Sequence, residues 1–317
     1  MQEKSVSVVI PICSPSKELV AIVDRLLKQN KKPEEIILIN SKRCFDGSEI
    51  ILEEIEERFI ENKDIIKTIE IDREEFDHGA TRDMGIGEAK GEYVLLMTQD
   101  ALPKDKNLIS NMLEHFKDNQ VAVVYARQLP KKDAGVIEKY TRSFNYGDED
   151  IIKTSADFKT MGIKAIFSSD VCAMYHKEKY IEVGGFPSRT IFNEDGILAY
   201  KALTNEYKVV YASTAKVYHS HNYKLMDDFR RNFDLGVSQK QYEYIYDNLS
   251  SESEGIKLVK DTARYLFDTG NMLLIPLLIL HSASKYAGYQ AGKHYNKIPK
   301  EILEKCSMNK NYWKRGN

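Results

Sequence analysis

The sequence predicts an α/β fold, with a mostly parallel sheet flanked by helices and followed by an α-helical C-terminal extension. Short apolar runs rich in β-branched residues alternate with amphipathic stretches from residue 5 to about residue 127. Such alternation is typical of successive β-α-β units, which form parallel strands joined by right-handed crossovers. Beyond residue 224 no run is typical of a strand, so we predict domains at 1–224 and 225–317.

The predicted elements follow one another closely. Strands are predicted at 5–12, 35–39, 65–71, 92–97 and 121–127, with helices at 17–29, 48–59, 81–89 and 106–116. Between 128 and 163 the pattern weakens, and we expect a long, mobile excursion over a site. Order returns with a strand at 165–175, helices at 177–183 and 194–205, and two short strands at 208–211 and 215–218.

Composition narrows the functional classes. The 317 residues carry a formal net charge of −2, which argues against nucleic acid as a partner. No CxxC pair occurs, so we expect neither a zinc site nor disulfides, and a reducing cytosol fits. The first residues lead directly into a strand, which predicts no signal peptide, and the apolar run 272–280 is too short to span a bilayer. The four cysteines are Cys13, Cys44, Cys172 and Cys306.

A carboxylate stands at the end of the fourth predicted strand. The apolar run 92–97 leads into Thr98, Gln99 and Asp100, and Pro103 stops the strand. Ligands of open α/β sheets bind at the carboxyl ends of the strands. A carboxylate there suits a hard cation, Mg²⁺ or Mn²⁺, that bridges a diphosphate. The alternative is an aspartate that serves the turn.

The order of the motifs resembles that of family 2 inverting glycosyltransferases of the GT-A fold. The amino-acid sequences at 78–82 and 98–103 are similar to those of the bacterial rhamnosyltransferase branch, whose members build surface polysaccharides from dTDP-rhamnose. The resemblance covers roughly residues 5–225. The motifs that carry it are 6–11, the segment around Arg82, 98–100, 184–186 and 193–195.

The resemblance implies which residues bind the donor. The sequence departs from the family in three places. The usual Asp-X-Asp motif has Thr98 in place of its first aspartate, and Asp83 replaces an asparagine. Asparagine and serine also replace the acidic residue after the second strand, although both would hydrogen-bond a pyrimidine edge. The implied nucleotide-sugar contacts are Pro11, Asn40, Ser41, His78, Gly79, Arg82, Gln99 and Asp100.

Histidines and a second acidic pair complete the predicted site. His219 and His221 share one face of an extended chain and would join Asp100 around a cation, with the resemblance favouring His219. Asp195 is the predicted general base, which takes the proton of the acceptor hydroxyl, and Glu194 would bind acceptor. The alternatives are a pair of loop histidines and a helix cap.

The resulting prediction is a metal-dependent, inverting transferase. It would move L-rhamnose from dTDP-β-L-rhamnose to a hydroxyl of a polyprenyl-linked polysaccharide intermediate. A UDP-sugar donor and a non-catalytic sugar-nucleotide-binding scaffold remain alternatives. A nucleotidyltransferase would normally need a glycine-rich loop after the first strand, and residues 11–17 contain no glycine.

The C-terminal tail has two interpretations. Residues 272–297 are apolar first, then basic and aromatic, which is typical of a helix on a membrane surface. Such a helix would place a cytoplasmic protein on the inner face of the cell membrane, close to a lipid-linked acceptor. The alternative is packing against the catalytic domain or against a second copy in a homodimer.

Overall fold

The computed structural model describes residues 4–42, 47–249 and 252–314, so Cys44 lies outside the described residues. The strands are β1 (Val6–Ile12), β2 (Glu35–Lys42), β3 (Ile66–Asp72), β4 (Tyr93–Met97), β5 (Leu102–Pro103), β6 (Val121–Leu129), β7 (Ile151–Lys153), β8 (Cys172–His176) and β9 (Lys208–Tyr218). The α-helices are α1 (Lys17–Leu27), α2 (Ser48–Arg58), α3 (His78–Glu88), α4 (Leu108–His115), α5 (Val136–Asn145), α6 (Phe158–Met161), α7 (Lys177–Glu182), α8 (Glu194–Thr204), α9 (Leu225–Gln241), α10 (Glu243–Tyr246), α11 (Glu252–Asp268), α12 (Ile275–Lys293), α13 (Lys300–Cys306) and α14 (Lys310–Lys314).

The strands form one sheet in the order β3-β2-β1-β4-β8-β6-β9-β5, with β7 paired to β9. The chain builds outward from β1 to β3 and then returns to place β4 on the other side of β1. The strand order therefore reverses between β1 and β4. At such a switch point the carboxyl ends of the strands open a crevice for a ligand.

β1 is buried on both faces because helices cover both sides of the sheet. Val8 and Ile10 pack in one hydrophobic cluster with Leu19 of α1. Val9 points the other way and packs with Ile86 of α3 in a second cluster. The alternation of successive residues between the two clusters is the period of a strand. The predicted α/β sheet flanked by helices is thus confirmed.

The sheet is mixed, which corrects the expectation of a mostly parallel one. β3, β2, β1 and β4 are parallel, but β8 runs antiparallel to both β4 and β6. The cause is the connection between β6 and β8. It begins and ends at the same edge of the sheet, so the chain re-enters without the crossover that a parallel strand needs.

The excursion predicted at 128–163 has regular structure of its own. It contains α5, the short strand β7 and α6. β7 pairs antiparallel with the first half of β9, from Ile151 opposite Tyr211 to Lys153 opposite Val209. The region around 208–218 is likewise one continuous strand instead of the two predicted.

A two-residue strand that was not predicted brings distant motifs together. Leu102 and Pro103 pair antiparallel with Tyr218 and Val217 of β9. Continuing this register by two residues places Asp100 opposite Ser220. The turn after β4 and the segment after β9 therefore meet at the same edge of the sheet.

The C-terminal part of the chain is helical, as predicted, and its described residues contain no strand. α9 and α12 pack backbone against backbone. A Cβ atom added at Gly236 of α9 would lie 2.3 Å from the Tyr289 carbonyl oxygen, and one at Gly292 of α12 would lie 2.1 Å from that of Phe233. None of the described helices is both long enough and apolar enough to cross a bilayer. A domain boundary at 224 stays a prediction.

Replacing Gly288 with alanine is expected to destabilise the protein. The added Cβ would lie 2.1 Å from the Phe229 carbonyl oxygen, so α9 and α12 must separate, at a cost of about 1–3 kcal/mol. Gly255→Ala is the matched control, because nothing lies within 4 Å and alanine favours a helix. Thermal unfolding should show a lower Tm for Gly288→Ala and an equal or higher Tm for Gly255→Ala. Equal Tm values for Gly288→Ala and the wild type would contradict this packing.

Candidate active site

Asp100 and the two histidines after β9 form one cluster. Asp100 Oδ2 lies 3.5 Å from His219 Nε2 and 3.4 Å from His221 Nε2. One ligand atom from each residue lies within 4.8 Å of the others. The pairing of β5 with β9 produces this meeting, because it holds the two segments side by side at the carboxyl end of β4.

The electrostatics of the cluster fit a bound cation. Burial lowers the pKa of both histidines, and the neighbouring His219 adds to this effect at His221, whose pKa falls to about 4. Burial opposes ionisation of Asp100, but the protonated form of His219 donates a hydrogen bond to its carboxylate and attracts it, which holds the pKa of Asp100 below its usual range. Near pH 7 the cluster offers a carboxylate and two neutral imidazoles. This set of ligand atoms suits a transition-metal ion such as Mn²⁺.

Gln99 ties the ends of β4 and β1 together. Its Oε1 accepts a hydrogen bond from the Cys13 backbone N–H at 2.8 Å, and its Nε2 donates to the Cys13 carbonyl at 2.9 Å. A carboxylate at position 99 would accept the first bond but has no proton for the second. This pair of hydrogen bonds therefore explains why glutamine precedes Asp100. A contact between Gln99 and the donor stays a prediction.

The end of β2 carries polar groups that the described part of the protein does not satisfy. Asn40 Nδ2 and Oδ1 and Ser41 Oγ are buried and have no hydrogen-bond partner among the described residues. Buried polar groups usually have partners. Asn40 lies in register with Ile12 at the end of β1, and Pro11 lies beside Ile39. Pro11, Asn40 and Ser41 thus lie on neighbouring strands, and their contact with a nucleotide stays a prediction.

Arg82 is buried and surrounded by carboxylates. It is 6% exposed, with Nε 3.4 Å from Asp170 Oδ2 and Nη1 3.2 Å from Glu194 Oε1. Nη1 also donates to the His78 carbonyl at 2.9 Å. Burial raises the pKa of Asp170 well above its usual range, and the positive charge of Arg82 opposes this effect. The predicted contacts of Arg82 with diphosphate and of Glu194 with acceptor stay predictions.

The start of α3 is fitted to the loop at 184–187. Asp77 caps the helix by accepting from the backbone N–H groups of Gly79 and Ala80. A Cβ atom at Gly79 would lie 2.3 Å from the Pro187 carbonyl oxygen, so glycine is required by a protein contact. His78 is partly buried, and burial lowers its pKa. Direct donor contacts of His78 and Gly79 stay predictions.

Asp195 lies in the first turn of α8. Its Oδ1 accepts from the Gly196 N–H at 2.7 Å, and its Oδ2 accepts from the Asp170 N–H at 3.3 Å. Burial and then the negative charge of Glu194 raise the pKa of Asp195 to about 7. A carboxyl group of this pKa can take up a proton near neutral pH, as a general base must.

The sequence prediction missed the residues that connect the cluster with Asp195. Gln128 Oε1 lies 2.9 Å from His219 Nδ1, and Gln128 Nε2 donates to Ser169 Oγ at 2.8 Å. The next residue, Asp170, donates its backbone N–H to Asp195. Because these contacts join separate elements, no local motif signals them. Together these contacts link the cluster of Asp100 and the histidines to the candidate base.

Comparison with known proteins identifies the family to which this site belongs. The family model described as Glycosyl transferase family 2 matches residues 7–184, more than half of the chain. The chain belongs to this family. The glycosyltransferase carries Arg82 and Asp100 within the matched residues, whereas Asp195 and the two histidines follow them.

Two curated relatives extend over most of the glycosyltransferase. O-antigen chain rhamnosyltransferase WbaN of Salmonella anatum is 35% identical over 288 residues, which cover 90% of this chain and 88% of WbaN. O-antigen chain rhamnosyltransferase RfbN of Salmonella typhimurium is 33% identical over 310 residues, 97% of this chain and 96% of RfbN. The resemblance to the rhamnosyltransferase branch is confirmed by these relatives.

The fold is also shared with a solved structure. The mannosyltransferase PcManGT of Pyrobaculum calidifontis, in complex with GDP-Man and Mn²⁺, superposes with a TM-score of 0.58. The match covers 98% of this chain and 85% of PcManGT at 16% identity. The predicted GT-A-type fold is therefore confirmed.

Proposed function

We propose that this glycosyltransferase moves L-rhamnose from dTDP-β-L-rhamnose to a hydroxyl of a lipid-linked polysaccharide intermediate, with inversion. The observation that carries the proposal is the connection of a candidate cation cluster with a candidate base through Gln128 and the adjacent residues Ser169 and Asp170. The choice of sugar is supported by the two relatives named as O-antigen chain rhamnosyltransferases.

The reaction follows from the two halves of the site. Asp195 takes the proton of the acceptor hydroxyl while the acceptor oxygen forms a bond to the anomeric carbon. The bond from that carbon to the diphosphate oxygen breaks on the opposite face, and its electron pair leaves with dTDP. Mn²⁺ or Mg²⁺ held by Asp100, His219 and His221 would neutralise charge on the departing diphosphate. The imidazole donors favour Mn²⁺.

The nucleotide base is assigned to the end of β2. The amide of Asn40 offers one donor and one acceptor, which match the complementary groups on the edge of a pyrimidine. The unsatisfied state of Asn40 and Ser41 among the described residues supports this assignment. Arg82 favours the ionised form of Asp195, because its positive charge opposes the effects of burial and of Glu194, which raise the pKa of Asp195.

The proposal is tested by transfer from labelled donor. The purified protein, Mn²⁺ and dTDP-β-L-[¹⁴C]rhamnose are incubated with a lipid extract that contains the polyprenyl-linked intermediate. We expect label in the lipid fraction as an α-L-rhamnoside, and no label in the presence of EDTA. Transfer only from a UDP-sugar would overturn the donor assignment. Donor binding with neither transfer nor hydrolysis would favour a scaffold.

We also propose that the C-terminal helices bind to the anionic cytoplasmic face of the cell membrane. Large apolar side chains between the end of α11 and the middle of α12 are exposed, and Leu273 is 95% exposed. The sequence from 267 to 300 contains four lysines and one acidic residue, Asp268. Exposed apolar groups beside basic ones are suited to anionic lipid. The exposed apolar residues are Phe267, Met272, Leu273, Leu277, Ile279 and Leu280.

Vesicle flotation tests this surface. The wild type should float with vesicles of phosphatidylcholine and phosphatidylglycerol, and the double variant Leu273→Asp/Leu280→Asp should stay at the bottom of the gradient. Ile181→Asp is the matched control, because Ile181 is an exposed apolar residue on α7 and should not affect flotation. Equal flotation of the double variant would contradict the proposal. Elution of the wild type as a dimer that the double variant abolishes would assign the face to a homodimer.

A further inference from the structure

A chain of three side chains leads from α5 to the cation cluster. Arg142 of α5 donates through Nη1 to Gln128 Oε1, and Gln128 Oε1 lies 2.9 Å from His219 Nδ1. Gln128 is 2% exposed, and the His219 side chain is buried as well. This series of side-chain contacts therefore connects the segment at 128–163 with a candidate cation ligand.

The orientation of the Gln128 amide is fixed by its neighbours. An arginine guanidinium only donates hydrogen bonds, so the atom that faces Arg142 must be the amide oxygen. The amide nitrogen then faces Ser169 Oγ, to which it donates at 2.8 Å. The oxygen that meets His219 is thus an acceptor, which requires a proton on Nδ1.

A proton on Nδ1 determines what the other nitrogen of His219 can do. When the ring is neutral, Nε2 has no proton and presents its lone pair toward Asp100 Oδ2, 3.5 Å away. Two acceptors facing each other repel unless a cation lies between them. The arrangement therefore prepares Nε2 to bind a metal ion, as in other proteins where the second nitrogen of a ligand histidine is held by a hydrogen bond.

We propose that Gln128 and Arg142 are positioning residues that set the tautomer and ring orientation of His219 for cation binding. The inference rests on the metal-dependent function proposed above. It gives α5 a role: the helix carries Arg142, which Glu138 holds through an ion pair of 2.7 Å. A shift of α5 would release Gln128 and with it His219.

The tautomer itself can be measured on the metal-free protein. In ¹⁵N-histidine spectra at pH 8, we expect Nδ1 of His219 to carry a proton, with the signal assigned by its loss in His219→Asn. In Gln128→Leu the ring should lose this preference, whereas Gln128→Glu keeps an acceptor and should preserve it. A wild-type His219 with an unprotonated Nδ1 would overturn the inference.

Cation affinity gives the second readout. In Mn²⁺ titrations followed by electron paramagnetic resonance with dTDP present, Gln128→Leu should bind about 10–100-fold more weakly than the wild type, and Gln128→Glu should restore affinity. Arg142→Met should weaken binding less than Gln128→Leu, and it tests the inference if Gln128→Leu does not fold. Lys139→Met removes an exposed positive charge from the same helix and should leave affinity unchanged.

The outcomes separate this inference from the proposed function. Unchanged Mn²⁺ affinity in both Gln128→Leu and Arg142→Met would overturn the positioning role. Absence of Mn²⁺ binding to the wild type would contradict the metal-dependent function, while the tautomer measurement would still decide whether Gln128 orients His219.

Discussion

Asp195→Asn is expected to lower kcat by about 10²–10⁴-fold, which is the usual contribution of a general base. Asparagine preserves the size of the side chain and can still accept from the Gly196 N–H, but it cannot take the acceptor proton. Affinity for dTDP should stay close to that of the wild type, because Asp195 acts on the acceptor. The measurement is single-turnover transfer of labelled rhamnose with saturating donor.

Asp133→Asn serves as the control for this variant. Asp133 is exposed in the segment after β6, and its substitution should leave kcat unchanged. Wild-type kcat in Asp195→Asn would show that another group removes the proton. A parallel loss of dTDP affinity would indicate that the substitution had disturbed the site instead of the chemistry.

The pH dependence provides an independent check on Asp195. Only the ionised carboxylate can act as a base, so kcat/KM should rise with pH up to the pKa of Asp195 and then level off. Burial and Glu194 raise that pKa to about 7, so we expect a tenfold loss per pH unit below about pH 6. A flat profile from pH 5 to 8 would contradict the raised pKa. The affinity for dTDP should show no such decrease at low pH.

Asp100→Ala is expected to abolish cation binding and reduce transfer by several orders of magnitude. Asp100 supplies the only carboxylate of the described cluster, so its loss leaves two neutral imidazoles for a divalent ion. Mn²⁺ titration should show no saturable binding with dTDP present. Asp133→Ala should bind Mn²⁺ like the wild type.

The two histidines differ in their expected contributions. His219 is buried and held by Gln128, whereas the His221 side chain is more exposed. His219→Ala should therefore weaken Mn²⁺ binding more than His221→Ala. Retention of Mn²⁺ affinity in Asp100→Ala would contradict the assignment of this cluster as the cation site.

Local sequence patterns predicted the first half of the fold because its strands are buried on both faces and its helices are amphipathic. α3 begins at His78, three residues earlier than predicted. The predicted start was too late because Gly79, in the first turn, is a poor helix former. The helix α5 had a usable signal in Val136, Ile137, Tyr140 and Phe144, but flanking glycines and polar residues obscured it. β5 and β7 are too short for periodicity to reveal them.

The site was predictable only where one residue type suggests one chemistry. Asp100, His219 and His221 were grouped from the sequence, and the structure brings them together. The partners Gln128 and Asp170 were missed because hydrogen bonds across elements leave no local pattern. Gln99 shows the same limit: its two bonds to Cys13 become visible only when β1 and β4 are neighbours.

The measurement that tests the account most directly is a calorimetric titration of dTDP and of UDP, each with Mn²⁺ and with EDTA. The account predicts that dTDP binds tightly with Mn²⁺, at least tenfold more weakly with EDTA, and more tightly than UDP. Preference for UDP would contradict the dTDP-sugar donor. Binding of dTDP that is equal with Mn²⁺ and EDTA would contradict the role of Asp100 and the histidines in holding the donor diphosphate.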